Sequence, residues 1–161
     1  MKKIIYSLIF IFVIFLVSGC SFNNKINTIF KNIEINENEC EIEKDIDTHD
    51  SFHGDGDYFA KIKCNNINYN ELSKNWKKLP LSESIKQATE IEHCNDNECK
   101  SIYDRFSIPN IENGYYYFID RHNESKNKYD DTDLNNRSSY NYTLAIIDLN
   151  TNIIYYYEFD T

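Results

Sequence analysis

The stretch Asp47-Thr48-His49-Asp50-Ser51-Phe52-His53-Gly54-Asp55-Gly56-Asp57 packs four aspartates and two histidines beside two glycines. Imidazole and carboxylate are good donors for zinc or a related divalent ion, so His49, His53, Asp55 and Asp57 are candidate ligands. The spacing is not His-Glu-x-x-His, nor an EF-hand series closed by a bidentate Glu, and it only faintly echoes a calcium-binding glycine repeat. The identity of any metal therefore stays unknown, and no other cofactor is called for. Two further readings stand beside the metal: the loop recognises a protein, peptide or glycan partner, or Asp and Gly simply shape a solvent-exposed turn. The candidate binding loop comprises His49, His53, Gly54, Asp55, Gly56 and Asp57. His122, next to Asp120 and Arg121, is a base that could approach it. No catalytic residue is assigned, since no serine sits in a Gly-x-Ser-x-Gly context.

Two strands must hold this loop. The apolar positions Cys40, Ile42 and Ile46 share one parity, and Tyr58, Ala60, Ile62 and Cys64 share one too. Side chains alternate between faces, so partners must agree in parity. The register that pairs Cys40 with Cys64, Ile42 with Ile62 and Ile46 with Tyr58 satisfies this, and it leaves residues 47–57 as the connection. A tight turn at Asp55-Gly56 would instead set Cys64 against Asp47. The same register brings Cys40 and Cys64 together as a disulfide, and the four-residue gap between Cys94 and Cys99 favours a local second bridge. A metal site at His93, Cys94 and Cys99 is the weaker alternative, because it lacks a clear fourth ligand.

Beyond these strands, at 39–46 and 58–64, the patterning predicts helices over 70–78 and 82–92 and strands over 114–121, 141–148 and 152–159. Asn70 is read as the cap of the first helix and Pro80 as its end. Ser82 caps the second, which turns Ile85, Ala88 and Ile91 inward. The fold class is α+β: a mainly antiparallel sheet of about five strands with two helices on one face, in the order ββααβββ. The tyrosine runs 115–117 and 155–157 suit a sheet with one face covered and the other half exposed. The polar stretch His122 to Ser139 reads as a mobile loop.

The amino terminus has a different character. Lys2 and Lys3 precede an uncharged apolar run from Ile4 to Val17, followed by Ser18, Gly19 and Cys20. That is the layout of an export signal, and the run falls short of the about 20 residues a membrane-spanning helix needs. Leu16-Val17-Ser18-Gly19-Cys20 resembles the lipobox of bacterial lipoproteins, which implies cleavage before Cys20 and lipidation, including a fatty acid such as palmitate, on the cysteine. Residues 1–19 are then the signal peptide, 20–32 the lipidated cysteine and a polar tether, and 33–161 a single globular domain. An exported location is also what makes disulfides the default for the remaining cysteines.

The chain of 161 residues is 41% hydrophobic and 15% aromatic, too rich in both for a disordered protein, and its net charge of -9 argues against a nucleic-acid binder. Loss of Lys2 and Lys3 would make the mature charge -11, so attachment to the cell membrane, on its extracytoplasmic face, must come from acyl chains rather than basic residues. With 22 Asn and 23 Ile against 3 Ala, the composition is that of an AT-rich genome. The segments His53–Phe59, Asn113–His122 and Leu144–Thr161 resemble those of a group of short, uncharacterised Gram-positive proteins; that likeness implies no activity. The expected function is a small binding or interaction module on the membrane, with an inhibitor or immunity-type lipoprotein as one form of it. The alternative is a metal-dependent hydrolase built on loop 47–57 and His122.

Overall fold

The computed structural model describes residues 25–35, 40–49, 54–90, 93–95, 98–122 and 127–161, with side chains left aside at 93–95 and 98–99. The export signal and Cys20, residues 50–53 including His53, and Ile91 lie outside the described residues. The chain divides into two units, Met1–Asn36 and Glu37–Thr161. In the first, residues 25–32 are helical (α1), where the sequence reading expected a tether. The left-handed Glu34, at φ 58°, ends it, and the Ile35 amide turns back onto the Phe30 carbonyl at 2.9 Å. No helix among the described residues is long and apolar enough to cross a membrane.

The second unit is α+β. Its strands are β1 (Cys40–Asp47), β2 (Gly56–Cys64), β3 (Lys77–Lys78), β4 (His93–Asn95), β5 (Glu98–Lys100), β6 (Gly114–Asp120), β7 (Asn141–Asp148) and β8 (Ile153–Asp160). Six form one antiparallel sheet in the order β1-β2-β8-β7-β6-β3, while β4 and β5 make a separate hairpin. The sheet thus gains one strand over the expected five, the short edge piece β3. The helices are α2 (Tyr69–Asn75), α3 (Glu83–Glu90) and α4 (Ile102–Phe106).

Cross-strand register explains the core. Phe59, Tyr157, Leu144 and Phe118 lie in one row across β2, β8, β7 and β6, and Tyr155, Ile146 and Tyr116 lie in the next. Ile85 and Ala88 of α3, Ile102 and Phe106 of α4, and Leu134 close over these rows. Phe106 stacks on Phe59 with ring centroids 4.4 Å apart. The opposite parity carries Tyr58, Ala60, Ile62, Tyr156, Ala145 and Tyr117, all buried as well. Both faces are therefore covered at the sheet centre, and the expectation of a half-exposed face fails. The two predicted helices also part company: Trp76, just after α2, packs on Tyr117, while α3 covers the face of Tyr116 and Phe118.

Local chemistry sets the helix ends. The Asn68 side chain accepts from the Glu71 amide, so Asn68 rather than Asn70 caps α2, and the helix stops at Asn75, before Pro80. Ser82 Oγ accepts from the Ile85 amide at 3.3 Å, as expected for the start of α3. The unforeseen α4 has a reciprocal cap: the Asp104 amide donates to Ser101 Oγ and Ser101 Oγ donates to the Asp104 carboxylate. Between β7 and β8, Asp148 organises the turn by accepting from the Asn150 amide and the Thr151 hydroxyl, and Asn152 turns left-handed at φ 55° instead of starting the strand.

The polar stretch after His122 is not loose where it is described. Leu134 is fully buried, the Tyr129 amide donates to the Phe118 carbonyl at 3.1 Å, and the Tyr129 hydroxyl donates to the Asn75 carbonyl at 2.6 Å.

Cys40 and Cys64 form the expected disulfide, and Ile42 faces Ile62. Ile46 faces Phe59 rather than Tyr58, because the register shifts between Ile42 and Lys44. A β-bulge inserts one residue and inverts the parity that follows. It lets β1 offer Ile42 to one face and Ile46 to the other. Cys94 and Cys99 are cross-strand partners in β4–β5, their side chains lying outside the description.

Candidate functional site

The antiparallel order brings five chain positions to one end of the sheet: the ends of β1, β6 and β8 and the starts of β2 and β7. The described ends of the 47–57 connection, residues 48–49 and 54–55, lie there. Its base is a backbone clamp in which the Thr48 amide donates to the Asp57 carbonyl and the Asp57 amide donates to Thr48 Oγ1, each at 2.8 Å. Gly56 is required by close approach. A Cβ there would lie 2.6 Å from the His49 Cα and 2.7 Å from its backbone nitrogen, and the local φ is 153°. Gly54 is exposed and left-handed.

His49 has a carboxylate at each ring nitrogen: Asp47 Oδ1 lies 2.8 Å from Nδ1, and Asp160 Oδ2 lies 3.2 Å from Nε2. Partial burial works against the charged ring. The hydrogen bonds and charges of Asp47 and Asp160 outweigh that and hold its pKa above the usual 6.5. Asp160 is itself gripped by Arg121, whose Nη2 donates to its carboxylate and to the carbonyls of Tyr142 and Phe159.

Asp57 goes elsewhere. It is buried on the α4 side of the sheet, where Arg105 Nη1 pairs with Oδ2 and the Tyr157 hydroxyl donates to Oδ1 at 2.5 Å. Asp57, Phe159, Tyr142 and Asp120 form one cross-strand row with an acid at each end. At the far end Arg137 grips Asp120 through Nη1 and Nη2, at 2.6 and 2.7 Å. Each acid of this row thus has its own arginine, the condition for tolerating charge in a low-dielectric interior. Between them the Tyr142 hydroxyl is fully buried, with no hydrogen-bond partner among the described residues. Burial first, and then the nearby Asp57, push its pKa well up; Tyr157 is raised by burial, then by Tyr142 and Asp57.

The predicted ligand set is therefore divided. His49 faces Asp47 and Asp160, Asp57 faces Arg105 and Tyr157, Asp55 is exposed, and His53 lies outside the described residues. Among the described residues no group of three His, Cys, Asp or Glu side chains is placed to hold a metal ion. His122 is at the same end and exposed, its amide donating to Asp120 Oδ1 at 3.0 Å. Its neighbour Arg121 is the residue that reaches the histidine's partner. Sequence reasoning missed Asp160, Arg105, Arg137 and Tyr157, and named Arg121 only as a neighbour of His122. Parity is the signal that could have separated Asp57 from the other loop residues: on β2 it shares its face with Phe59, not with Tyr58 and Ile62.

A second feature lies at the other end of β6, about 20 Å away at strand rise. A cleft of about 390 Å³ opens between α3 and the turn before β6, walled by Leu79, Pro80, Leu81, Ile108, Pro109 and Ile111. Tyr103, Ile146 and the polar Asn110 complete its lining, and Lys86 and Glu90 stand at its α3 side. Both prolines of the chain are in these walls, where fixed φ angles give a preformed shape. A Cβ at Gly114 would lie 2.1 Å from the Ile147 carbonyl oxygen, and 3.1 and 3.2 Å from the wall atoms Leu79 Cδ1 and Ile111 Cγ2.

Comparison of the chain with protein-family models, curated proteins and solved structures finds no match.

Proposed function

We propose that the chain is a lipid-anchored extracytoplasmic lipoprotein acting as a small binding module, with the Leu79–Ile111 cleft receiving a bulky apolar side chain of a protein or peptide partner. The cleft carries this reading. Its volume is within the range of ligand sites, its walls are apolar and rigid, and a few polar groups stand around them. A glycan would leave its hydroxyls unsatisfied against Leu79, Ile108 and Ile111, whereas an apolar side chain leaves nothing unpaired. The charged end of the sheet supports the same reading from the other side: both nitrogens of His49 and both oxygens of Asp57 already have protein partners. The anchor rests on the lipobox-like Leu16–Cys20, and the Cys40–Cys64 disulfide suits an oxidising exterior. An inhibitor or immunity-type lipoprotein would be this same module with an enzyme or toxin as its partner.

The two halves are tested separately. Titration of the full chain with N-acetyl-leucinamide, N-acetyl-phenylalaninamide and N-acetyl-serinamide should shift the methyl resonances of Leu79, Ile108 and Ile111 with the first two only. Unmoved methyls at millimolar probe would defeat the cleft assignment. For the anchor, radiolabelled palmitate should enter the parent chain and be lost with Cys20→Ser.

A further inference from the structure

We propose that β1 is a releasable strap over the outer edge of β2, latched covalently at one end by Cys40–Cys64 and clipped at the other by His49 on Asp160.

None of the eight residues of β1 is buried, whereas six of the nine in β2 are, so β1 adds little to the core. It is the terminal strand of the sheet order, and its middle reads Glu43-Lys44-Asp45, charges of the kind that guard an edge against further pairing. The bulge at Glu43 weakens the ladder where apolar contact is thinnest. Beyond the ladder, β1 is fastened to its neighbours at both ends. The disulfide closes the first residue pair, Cys40 with Cys64. Past the last pair come the Thr48–Asp57 clamp and the bridge from His49 to Asp160 of β8. Between them Lys61 pairs with Glu43 at 2.7 Å, two side chains that are each about a third exposed, and such a pair contributes little.

Opening requires a dithiol reductant. One of its thiolates attacks a sulfur of the Cys40–Cys64 bond, which breaks with transient formation of a mixed disulfide. The second thiol displaces the remaining cysteine, so two electrons and two protons end on Cys40 and Cys64 and the dithiol leaves as its own disulfide. With the covalent latch gone, β1 is held by its bulged ladder, the Thr48–Asp57 clamp and the His49 clip; it opens from the Cys40 end, and the outward N–H and C=O groups of β2 become available for pairing. β2 itself stays, because its other edge is bonded to β8 along Gly56–Lys63.

Hydrogen-exchange mass spectrometry on the full chain in detergent, before and after dithiothreitol, tests this. Reduction should speed exchange of the 41–47 amides, and of the alternate β2 amides that face them, by about tenfold or more, with β7 and β8 unchanged. Cys40→Ser/Cys64→Ser should show the fast pattern without reductant, and adding His49→Ala should speed it further. Cys94→Ser/Cys99→Ser should respond to reductant as the parent does. Slow β1 amides in the reduced His49→Ala chain would overturn the proposal, and so would loss of protection in β7 and β8 together with β1, which would make the strand integral to the fold.

Discussion

His49, with a carboxylate on each side of its ring, contributes to stability only while it holds its proton. Its folded pKa is raised, so the contribution is complete below the unfolded value near 6.5 and disappears as pH climbs through the folded value. The parent chain should therefore lose a few tenths to about 1 kcal/mol relative to His49→Gln between pH 5.5 and 8.5, a small amount because the site is partly solvated. Urea midpoints of the two chains at both pH values measure it, and parallel midpoints would show that the clip does not hold. Gly56 tests the same loop by sterics. A methyl group there meets backbone atoms of His49 and Thr48 at 2.6 to 2.9 Å, and backbone cannot swing aside as a side chain can. Gly56→Ala should cost about 1–3 kcal/mol in urea unfolding.

Among elements, the segment between β6 and β7 changes most when seen in three dimensions. Its composition is that of a solvated insertion, yet Leu134 is fully buried in the main core and Arg137 grips Asp120. One apolar residue among many polar ones carries no period, so pattern alone cannot recognise an anchored loop. Leu134→Ala should destabilise the chain by about 2–5 kcal/mol, as deletion of a core leucine does, and thermal unfolding would show it. A truly loose loop would give almost no change. The helix α4 was missed for a related reason: it is shorter than two turns and buries only Ile102 and Phe106, although its Ser101/Asp104 cap was legible. The loop from Cys40 to Cys64 spans 24 residues, and closing it is worth about 3–4 kcal/mol of chain entropy. That is a large contribution for a strand with no buried residue.

For the whole molecule, net charge decides how the proposed anchor must behave. At -9 the chain carries no electrostatic attraction to anionic lipid, so acyl chains alone would hold it. Partition of the lipidated chain into vesicles should stay level or fall as phosphatidylserine replaces phosphatidylcholine; stronger binding would reveal a basic contact that the composition hides. The Cys20→Ser chain should leave both kinds of vesicle.

Alternation, capping residues and turn chemistry act over a few positions, and these short-range rules already determined the α+β class, the β7–β8 hairpin, the face of Ile85 and Ala88, and the pairing of Cys40 with Cys64. They failed at Ile46, where one bulged residue reversed the parity without changing the composition. The site was legible only as a loop worth watching. Which partners its residues take was decided by the path of the chain: Asp160 reaches His49 across 111 positions, Tyr157 reaches Asp57 across 100, and Arg105 arrives on a helix the pattern did not show. A histidine and an aspartate near each other in sequence suggest a shared ligand. In the folded sheet, neighbouring positions point to opposite faces, and each acid or histidine is satisfied by whatever distant group the strand order sets opposite it.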